Sequence, residues 1–203
     1  MLKGYEQTKI IDIANAAGIG KGTVYEYFDS KESIFTALCY QQLGFYKEQA
    51  IRSQAQCNGK GWHTHLKSFL TLEIDSLSQG LRQAFQHLSD FSDSDTFDPE
   101  DISSNPVLMF HLEMLKSKAC RKPFLELTNF RYRLLESIIK SGIKAGEFRC
   151  ASTKSICISL LGAIMNFTVL QSPFHPLLIF PESQRFHCDT EDYVQFLLDS
   201  VLV

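Results

Sequence analysis

Residues 8–32 read TKIIDIANAAGIGKGTVYEYFDSKE, and this stretch decides the fold. Thr8 is a typical helix N-cap residue, and the aliphatic residues after it recur at helical spacing. Gly18 can adopt the left-handed conformation that ends many helices. The pattern therefore predicts a short helix with a sharp stop and one apolar stripe, formed by Ile10, Ile11, Ile13, Ala14 and Ala17.

A second helical pattern begins at Lys21, with only Ile19 and Gly20 between it and Gly18. Residues 21–28 can form two helical turns, and the side chains expected to face inward are Val24, Tyr27 and Phe28. Two short helices joined by a tight turn that contains glycine form a helix-turn-helix. The sequence predicts such a unit near its N-terminal end.

The glycines, lysine and threonine of residues 18–23 also suggest a phosphate-binding loop, but their spacing argues against one. A P-loop requires a glycine where Asn15 stands and a serine or threonine where Gly22 stands. The dinucleotide-binding fingerprint fails at its third glycine, which is replaced by Thr23. No strand pattern precedes the segment, so both nucleotide-binding interpretations are disfavoured.

The rest of the chain has the composition of an ordinary globular protein. Its 203 residues carry a net charge of −3 and are 44% hydrophobic, which predicts one to two compact units and argues against disorder. No sustained alternation of apolar and polar residues predicts a strand. Three mostly apolar groups follow helical spacing instead and predict an all-α fold: Ile34, Phe35, Leu38, Gln42 and Phe45; Leu127, Phe130, Leu134, Leu135, Ile138 and Ile139; and Tyr193, Val194, Leu197, Leu198 and Val201.

Turn-forming and acidic stretches divide these helices. Residues 58–61 (NGKG) end a helix that begins near Lys31, Gly146 marks another helix end, and residues 90–101 are expected to form a solvated acidic loop. Residues 172–189 contain three prolines and are predicted to connect two helices, over 153–171 and 190–202. Thr190 is the predicted cap of the second.

Neither a membrane span nor a disulfide framework is expected. Residues 155–181 carry no charged side chain, but polar residues and prolines interrupt them, and their apolar part, residues 156–170, is too short to cross a bilayer. No apolar signal segment follows Met1, so we expect a cytoplasmic protein without membrane association. The six cysteines form no C-x-x-C pair and are expected to be reduced and mostly structural, while a redox-sensing thiol stays open. They are Cys39, Cys57, Cys120, Cys150, Cys157 and Cys188.

Several short motifs in residues 4–32 together resemble the DNA-binding domain of tetracycline-repressor-like (TetR) regulators. The motifs are Gly4-Tyr5, Thr8, Asp12-Ile13-Ala14, Ala17-Gly18-Ile19, Lys21-Gly22-Thr23-Val24-Tyr25, Tyr27-Phe28 and Ser30-Lys31-Glu32. Residues 138–149 are similar to the helix end that precedes the family's dimerisation helices. The resemblance implies a helix-turn-helix DNA-binding domain over residues 1–47 and a helical effector-binding and dimerisation domain over residues 48–203.

The resemblance also implies which residues would contact DNA. Lys21, Gly22 and Thr23 would meet the major groove, where Gly22 would allow close approach and the Thr23 methyl would pack on a thymine. The other contacts would go to phosphates, from Thr8, Tyr25, Tyr27 and Lys31, although Tyr27 could equally belong to the core.

Three features depart from the family's pattern. Gly20 stands where the family commonly has a polar residue, and Glu26 adds a negative charge to the recognition helix, where we expect it to face solvent. The family also places a full helix ahead of Gly4, of which only residues 1–3 stand here. We expect either that the true chain begins upstream or that this is a shortened form with weak DNA binding. Residues 1–50 hold five lysines and six acidic residues, so they lack a strong basic footprint.

By resemblance, a small apolar effector would bind among the central helices. The candidate pocket residues, each of which could equally be plain core, are Phe69, Leu72, Met109, Phe110, Glu113, Met114, Phe130 and Asn166. The last two helices would form the interface of a homodimer, which would present two recognition helices to palindromic operator DNA. The predicted function is a ligand-responsive repressor that uses no cofactor or metal, with activation left open.

Two other classes of function are weighed against this one. The six histidines lack the spacing of zinc ligands, and no G-x-S-x-G motif occurs, so an enzyme is not expected. A dimeric helical small-molecule-binding protein that has lost DNA binding is the remaining alternative. Salt-sensitive retention on DNA would argue against it.

Overall fold

The structure, a computed structural model, describes residues 8–85, 118–171 and 188–203. Within them it contains seven helices: α1 (Ile10–Ala17), α2 (Lys21–Tyr27), α3 (Lys31–Ala55), α4 (Trp62–Phe85), α5 (Lys118–Ala145), α6 (Thr153–Leu170) and α7 (Thr190–Asp199). The strand-like pairing in these residues is one isolated antiparallel bridge, between Phe148 and Leu202. The predicted all-α fold is confirmed.

A shared core holds α4 to α7 together. α4 packs against α5, α6 and α7, and α5 also packs against α6. Burial of apolar surface stabilises this arrangement by roughly 25 cal/mol per Å² removed from water. The side chains that are almost completely buried in this core include Leu66, Phe69, Leu70, Ile74, Leu135, Ile139, Phe148, Ile164, Phe167 and Val194.

α3 connects the helix-turn-helix to the core. Its buried residues are Leu43, Tyr46 and Ala50, and the helix packs against α4 and α5. The start of α3 is capped by two serines: the Ser30 hydroxyl accepts from the Ser33 N–H at 3.0 Å, and the Ser33 hydroxyl accepts from the Ser30 N–H at 3.1 Å. The proposed domain division after residue 47 falls inside this unbroken helix.

Two predicted helix ends are confirmed. α3 ends at Ala55, and Gly59 in the following turn has a φ of +79°; α5 ends at Ala145, and Gly146 has a φ of +76°. Both angles lie in the left-handed region that glycine adopts without steric cost. The predicted acidic loop over 90–101 and residues 172–187 of the predicted connection lie outside the described residues.

The C-terminal residues are tied to the segment after α5. The Arg149 N–H donates to the Val201 carbonyl at 2.8 Å, and the Val203 N–H donates to the Glu147 carbonyl at 3.2 Å. Beside this bridge, the buried Phe148 ring lies so close to Gly142 that a Cβ on Gly142 would stand 2.1 Å from the ring. Position 142 therefore requires glycine for reasons of packing.

Two predicted N-caps are wrong by one residue. The N-cap of α1 is Lys9 and not Thr8, because the Asp12 carboxylate accepts from the Lys9 N–H at 2.9 Å and fixes the helix start there. The N-cap of α7 is Asp189 and not Thr190, because the Asp189 carboxylate accepts a backbone N–H two residues later at 2.7 Å.

The predicted apolar face of α3 is also wrong in part. Leu38 and Phe45 are exposed, because the helix turns its other apolar row, Leu43, Tyr46 and Ala50, toward α4 and α5. Both rows have helical spacing, and only the packing partners decide between them. The final helix ends at residue 199, earlier than the predicted 202, where the chain enters the bridge to Phe148.

Candidate nucleic-acid interface and a buried polar cluster

The turn between α1 and α2 is built on Gly18. Its φ is +68°, and its N–H donates to the Asn15 carbonyl at 3.2 Å. The Ile19 N–H donates to the Ala14 carbonyl at 3.0 Å, which completes the glycine-based helix end. α1 and α2 then pack against each other around Ala14 and Val24. Of the predicted inward stripe of α1, Ala14 is buried and Ile10 and Ile13 are half-buried, whereas Ile11 and Ala17 are exposed.

α2 presents its predicted DNA-contacting residues outward. Lys21, Gly22 and Thr23 form its exposed first turn, and the side chains of Tyr25 and Tyr27 are 47% and 77% exposed. The Lys21 ammonium lies 5.7 Å from the centroid of the Tyr25 ring, one helical turn away. Five of the seven predicted DNA contacts therefore share one exposed helix.

The exposure of Tyr27 decides between its two predicted positions. α2 ends at Tyr27, and Phe28 continues with an extended backbone at φ −139°. Phe28 is half-buried and Val24 is buried, whereas Tyr27 faces away from α1 and α2 into solvent. The prediction that Tyr27 faces inward is wrong. Glu26 is exposed, as predicted.

Thr8 and Lys31, the other two predicted contacts, flank the exposed helix. Thr8 precedes the cap residue of α1, Lys31 is the first residue of α3, and both are half-buried. A helix N-terminus favours anions because its first backbone N–H groups point outward. A phosphate at the start of α3 would meet both this N-terminus and the Lys31 ammonium.

No packing contact in the described part of the chain requires a glycine at position 22. A Cβ at this position meets no heavy atom within 4 Å, and the residue lies inside a helix. Alanine is favoured over glycine in helices by about 1 kcal/mol, so glycine here lowers the stability of α2. Gly20 has a φ of −70°, which any residue can adopt, and a Cβ there would make an ordinary contact of 3.8 Å with Thr23.

The predicted effector-binding residues are found in different environments. Phe69 is completely buried, Leu72 and Phe130 are half-buried, and Asn166 is exposed, with its amide donating to the Gly162 carbonyl at 3.0 Å. The structure does not bring Asn166 into the core with Phe69. Four further predicted pocket residues, Met109, Phe110, Glu113 and Met114, lie outside the described residues.

A buried polar triad, Tyr46, Glu73 and Arg131, lies where α3, α4 and α5 meet. One Glu73 oxygen accepts the Tyr46 hydroxyl, and the other accepts both Nε and Nη2 of Arg131. Glu73 has no exposed surface, and the Arg131 side chain keeps 17% of its own. Phe130, a predicted pocket residue, packs edge-on against the Tyr46 ring with 6.2 Å between the centroids.

The charge of Glu73 is held in place by its two partners. Burial raises the pKa of the Glu73 carboxyl, and the Arg131 guanidinium acts against that rise. A buried carboxylate without its cation would be strongly destabilising. Helical spacing alone does not predict the triad. The one signal in the sequence is that Glu73 occupies the same helical row as the buried Leu66, Phe69 and Leu70, a position where a charged residue needs a partner.

An open cavity of about 340 Å³ lies between α4 and the start of α7. It is lined by Lys67, Thr71, Asp189, Thr190, Glu191 and Val194. The Lys67 ammonium is 3.5 Å from Glu191 across it. This lining contains no predicted effector-binding residue.

Large apolar side chains on α6 and α7 face outward. Ile158 and Met165 lie two turns apart on α6 and are 69% and 41% exposed, and Phe196 on α7 is 65% exposed. Phe196 stacks on Tyr193, which stacks in turn on the buried Phe167. These stacked rings therefore connect the exposed Phe196 side chain with the core.

Among the described residues, no helix is long and apolar enough to cross a membrane, and no cluster of three potential metal ligands occurs. Cys39, Cys57, Cys150, Cys157 and Cys188, the cysteines whose side chains the structure describes, form no disulfide bond with one another. Burial raises the pKa of the Cys157 thiol to about 11, so this residue carries almost no reactive thiolate near neutral pH.

The exposed second helix of a glycine-turned helix-turn-helix, set ahead of a helical body, defines the class of helix-turn-helix DNA-binding regulators. Residues 1–38 match the family model described as bacterial regulatory proteins, tetR family. Over these residues, which include the helix-turn-helix, the chain is similar to the DNA-binding domain of that family.

Three relatives extend the comparison. The fatty acid metabolism regulator protein of Bacillus subtilis (strain 168) is 25% identical over 150 residues, which are 72% of this chain and 63% of that protein, so the match spans less than two thirds of the relative. A proposed transcriptional regulator from Saccharomonospora viridis in complex with choline superposes with a TM-score of 0.67, at 17% identity, over 99% of this chain and 90% of that one. The regulator FadR from Bacillus subtilis in complex with stearoyl-CoA superposes with a TM-score of 0.58, at 19% identity, over 97% and 88%. At these identities the two structures show the shared fold.

Proposed function

We propose that the chain is a transcriptional repressor that binds a palindromic operator as a homodimer and releases it when a small apolar effector binds. The observation that carries this proposal is the exposed face of α2, where Lys21, Gly22, Thr23, Tyr25 and Tyr27 all face solvent on a helix that follows a glycine turn. Nothing in the packing of the described chain requires these residue types.

The chemistry of each exposed residue suits a part of the DNA. The first turn of α2 would enter the major groove, where the missing side chain of Gly22 lets the backbone approach the bases and the Thr23 methyl packs on thymine. Lys21 and the two tyrosine hydroxyls would contact groove edges and phosphates. Thr8 and Lys31 would hold the phosphates on either side.

The exposed apolar face of α6 and α7 supports the homodimer. Ile158, Met165 and Phe196 are large apolar side chains on the two helices predicted to form the interface. Large exposed apolar side chains on predicted interface helices are what an association site in a soluble protein would present. A twofold axis through this face would relate two α2 helices and match a palindromic operator.

The proposed effector is a molecule with a long acyl chain. One Bacillus subtilis relative is a fatty acid metabolism regulator protein and the other, FadR, is in complex with stearoyl-CoA, and the chain itself contains sixteen phenylalanines. Leu72, Phe130 and the residues predicted beside them would supply apolar lining. The acyl-CoA and the free fatty acid share this chain and differ in head group.

The charge of the first fifty residues favours a second candidate function. With five lysines against six acidic residues, the segment lacks the excess of positive charge that supports binding to the DNA backbone. The second candidate is a dimeric helical protein that binds the same kind of small molecule but not DNA.

Binding to DNA at two salt concentrations separates the two functions. Fluorescence anisotropy would measure the affinity of the chain for the duplex upstream of its own gene, for a scrambled duplex, and for the first duplex with stearoyl-CoA or stearic acid. We expect specific binding that weakens with salt, is released by one of the ligands and is lost in Lys21→Ala but not in Lys60→Ala, which removes an exposed lysine from the α3–α4 turn. Ligand binding without any DNA binding would support the second candidate.

A further inference from the structure

The buried triad joins three helices: α3, which connects the helix-turn-helix to the body, and α4 and α5 of the body itself. Tyr46 comes from α3, Glu73 from α4 and Arg131 from α5. Both oxygens of the Glu73 carboxylate are used, one by each partner. The hydrogen bonds are directional, so the arrangement of the three helices is set more narrowly than apolar packing alone would set it.

Stability alone does not account for the triad. The neighbours of Glu73 on the buried side of α4 are apolar, among them Leu70 and Ile74. Replacing a buried ion pair with apolar residues of similar volume is often neutral or stabilising. An ion pair kept in an apolar row is therefore better explained by the geometry that it specifies than by the energy that it adds.

α3 is the rigid connection between the triad and the predicted DNA-reading helix. α2 ends at Tyr27 and α3 begins at Lys31, so three residues separate them. Tyr46 lies fifteen residues further along, about 22 Å at 1.5 Å per residue. In the described residues, α1 and α2 pack extensively only on each other, so a shift of α3 at Tyr46 would be carried to α2 mainly along α3.

Two of the predicted effector-binding residues, Phe130 and Leu72, lie next to members of the triad. Phe130 packs on the Tyr46 ring and directly precedes Arg131, and Leu72 directly precedes Glu73. The Lys47 ammonium lies 5.6 Å from the centroid of the Phe130 ring on the α3 side. A ligand that displaces Phe130 would press on the same side chains that hold α3.

We infer that Tyr46, Glu73 and Arg131 are positioning residues that fix α3, and through it the reading helix, against the effector-binding helices. The inference rests on the proposed function for the role of the reading helix, while the anchoring of α3 stands on the contacts alone. The triad is buried and acts through α3, not by contact with DNA. It converts a change between α4 and α5 into a change in the position of α3.

The test compares two double variants of the full chain. Glu73→Leu/Arg131→Met replaces the triad's ion pair with apolar side chains, and Glu136→Leu/Lys140→Met removes the ion pair within α5, whose atoms are 3.1 Å apart and which joins no second helix. Hydrogen exchange of the α3 amides over residues 43–50 is measured in each, together with the thermal midpoint and the ratio of specific to scrambled DNA affinity.

The first double variant should remain folded, with a thermal midpoint near that of the parent, yet exchange its α3 amides about tenfold faster and lose about tenfold in the DNA affinity ratio. The Glu136→Leu/Lys140→Met control should change neither. Tyr46→Phe, which removes one hydroxyl and keeps the ring, should shift both readouts in the same direction by a smaller factor and serves if the first variant fails to fold.

The outcomes separate this inference from the proposed function. Unchanged α3 exchange and an unchanged affinity ratio in folded triad variants would overturn the positioning role. If the parent chain shows no specific DNA binding, the proposed function fails, and hydrogen exchange alone then decides whether the triad anchors α3.

Discussion

In the described part of the helix-turn-helix, residues 8–30, the buried side chains are Ala14 and Val24, whereas α4 to α7 share a continuous core that includes Phe69, Leu135 and Phe167. The helix-turn-helix directs most of its side chains outward, and the body directs its own toward one another. Packing explains the residue types of the second region, and we propose that those of the first are explained by what they present to a partner.

Two glycines make the difference concrete. Gly142 in α5 is covered by the Phe148 ring, and an added Cβ would stand 2.1 Å from it. Gly22 in α2 has nothing within 4 Å of the same added atom. The first glycine is required by the fold, while the second acquires a reason only when another molecule approaches α2.

The largest effect in the body is expected from Arg131→Met. The variant leaves the buried Glu73 carboxylate without its cation, which should cost about 3–5 kcal/mol of unfolding free energy at neutral pH. Without Arg131 the pKa of Glu73 rises further above its ordinary value, so the folded state takes up a proton more readily than the unfolded one. Urea unfolding between pH 8 and pH 5 should show the deficit shrinking as the pH falls. A deficit that is constant across this range would contradict the role given to Glu73.

The second-largest effect in the body is expected from Gly142→Ala, which disturbs the packing around Phe148. The new methyl group forces the buried Phe148 ring from its place, and overpacking of this kind costs about 1–3 kcal/mol. Gly44→Ala on the exposed side of α3, where an added Cβ meets nothing within 4 Å, is the matched control and should be neutral or stabilising. Chemical denaturation of both variants measures the difference, and equal stabilities would show that Phe148 can move freely.

Glu147→Gln tests the junction between α5 and α4. The Glu147 carboxylate accepts backbone N–H groups at the start of α4, including that of His63 at 3.0 Å, and the Trp62 and His63 hydrogen bonds lower its pKa below the ordinary 4.5. The substitution should cost about 1 kcal/mol at neutral pH. Because the pKa is lowered in the folded state, this stabilisation is present above pH 4.5 and is lost as the pH falls through the folded pKa. Thermal unfolding should therefore show a larger difference between variant and parent at pH 7 than at pH 3.

The smallest expected effect lies in the helix-turn-helix, with Gly20→Ser. Gly20 is the N-cap of α2, has an ordinary φ and provides no side-chain hydrogen bond to the helix. A serine could supply that bond and should stabilise the unit by a few tenths of a kcal/mol. Hydrogen exchange of the α2 amides would detect the change, and faster exchange would mean that the turn depends on Gly20 after all.

Sequence periodicity predicted the elements of both regions well. The stop at Gly18, the restart at Lys21 and the breaks at Gly59 and Gly146 are local signals, since each depends on a few adjacent residues. The cap errors have two different causes, a neighbouring residue that can also cap the helix and a carboxylate inside the first turn. Asp189 stands beside Thr190, and Asp12 moved the start of α1 from Thr8 to Lys9.

Partners distant in sequence could not be predicted in the same way. In α3 two apolar rows have equal helical spacing, and packing against α4 and α5 selected the row of Tyr46 over that of Phe45. The triad joins residues 27 and 58 positions apart. A charged residue in the buried row of α4 signals that Glu73 needs a partner, but periodicity does not say that Arg131 is that partner.

The central claim, that α2 is shaped for a partner and not for the fold, is tested most directly by Gly22→Ala measured beside Gly44→Ala. Both variants should be at least as stable as the parent, because each places alanine in an exposed helical position with free space around it. We predict that Gly22→Ala raises the Kd for the upstream duplex by about tenfold or more, roughly 1.4 kcal/mol of binding free energy, while Gly44→Ala leaves the Kd unchanged. Equal affinities in the two variants would contradict the account of α2 as the DNA-reading helix.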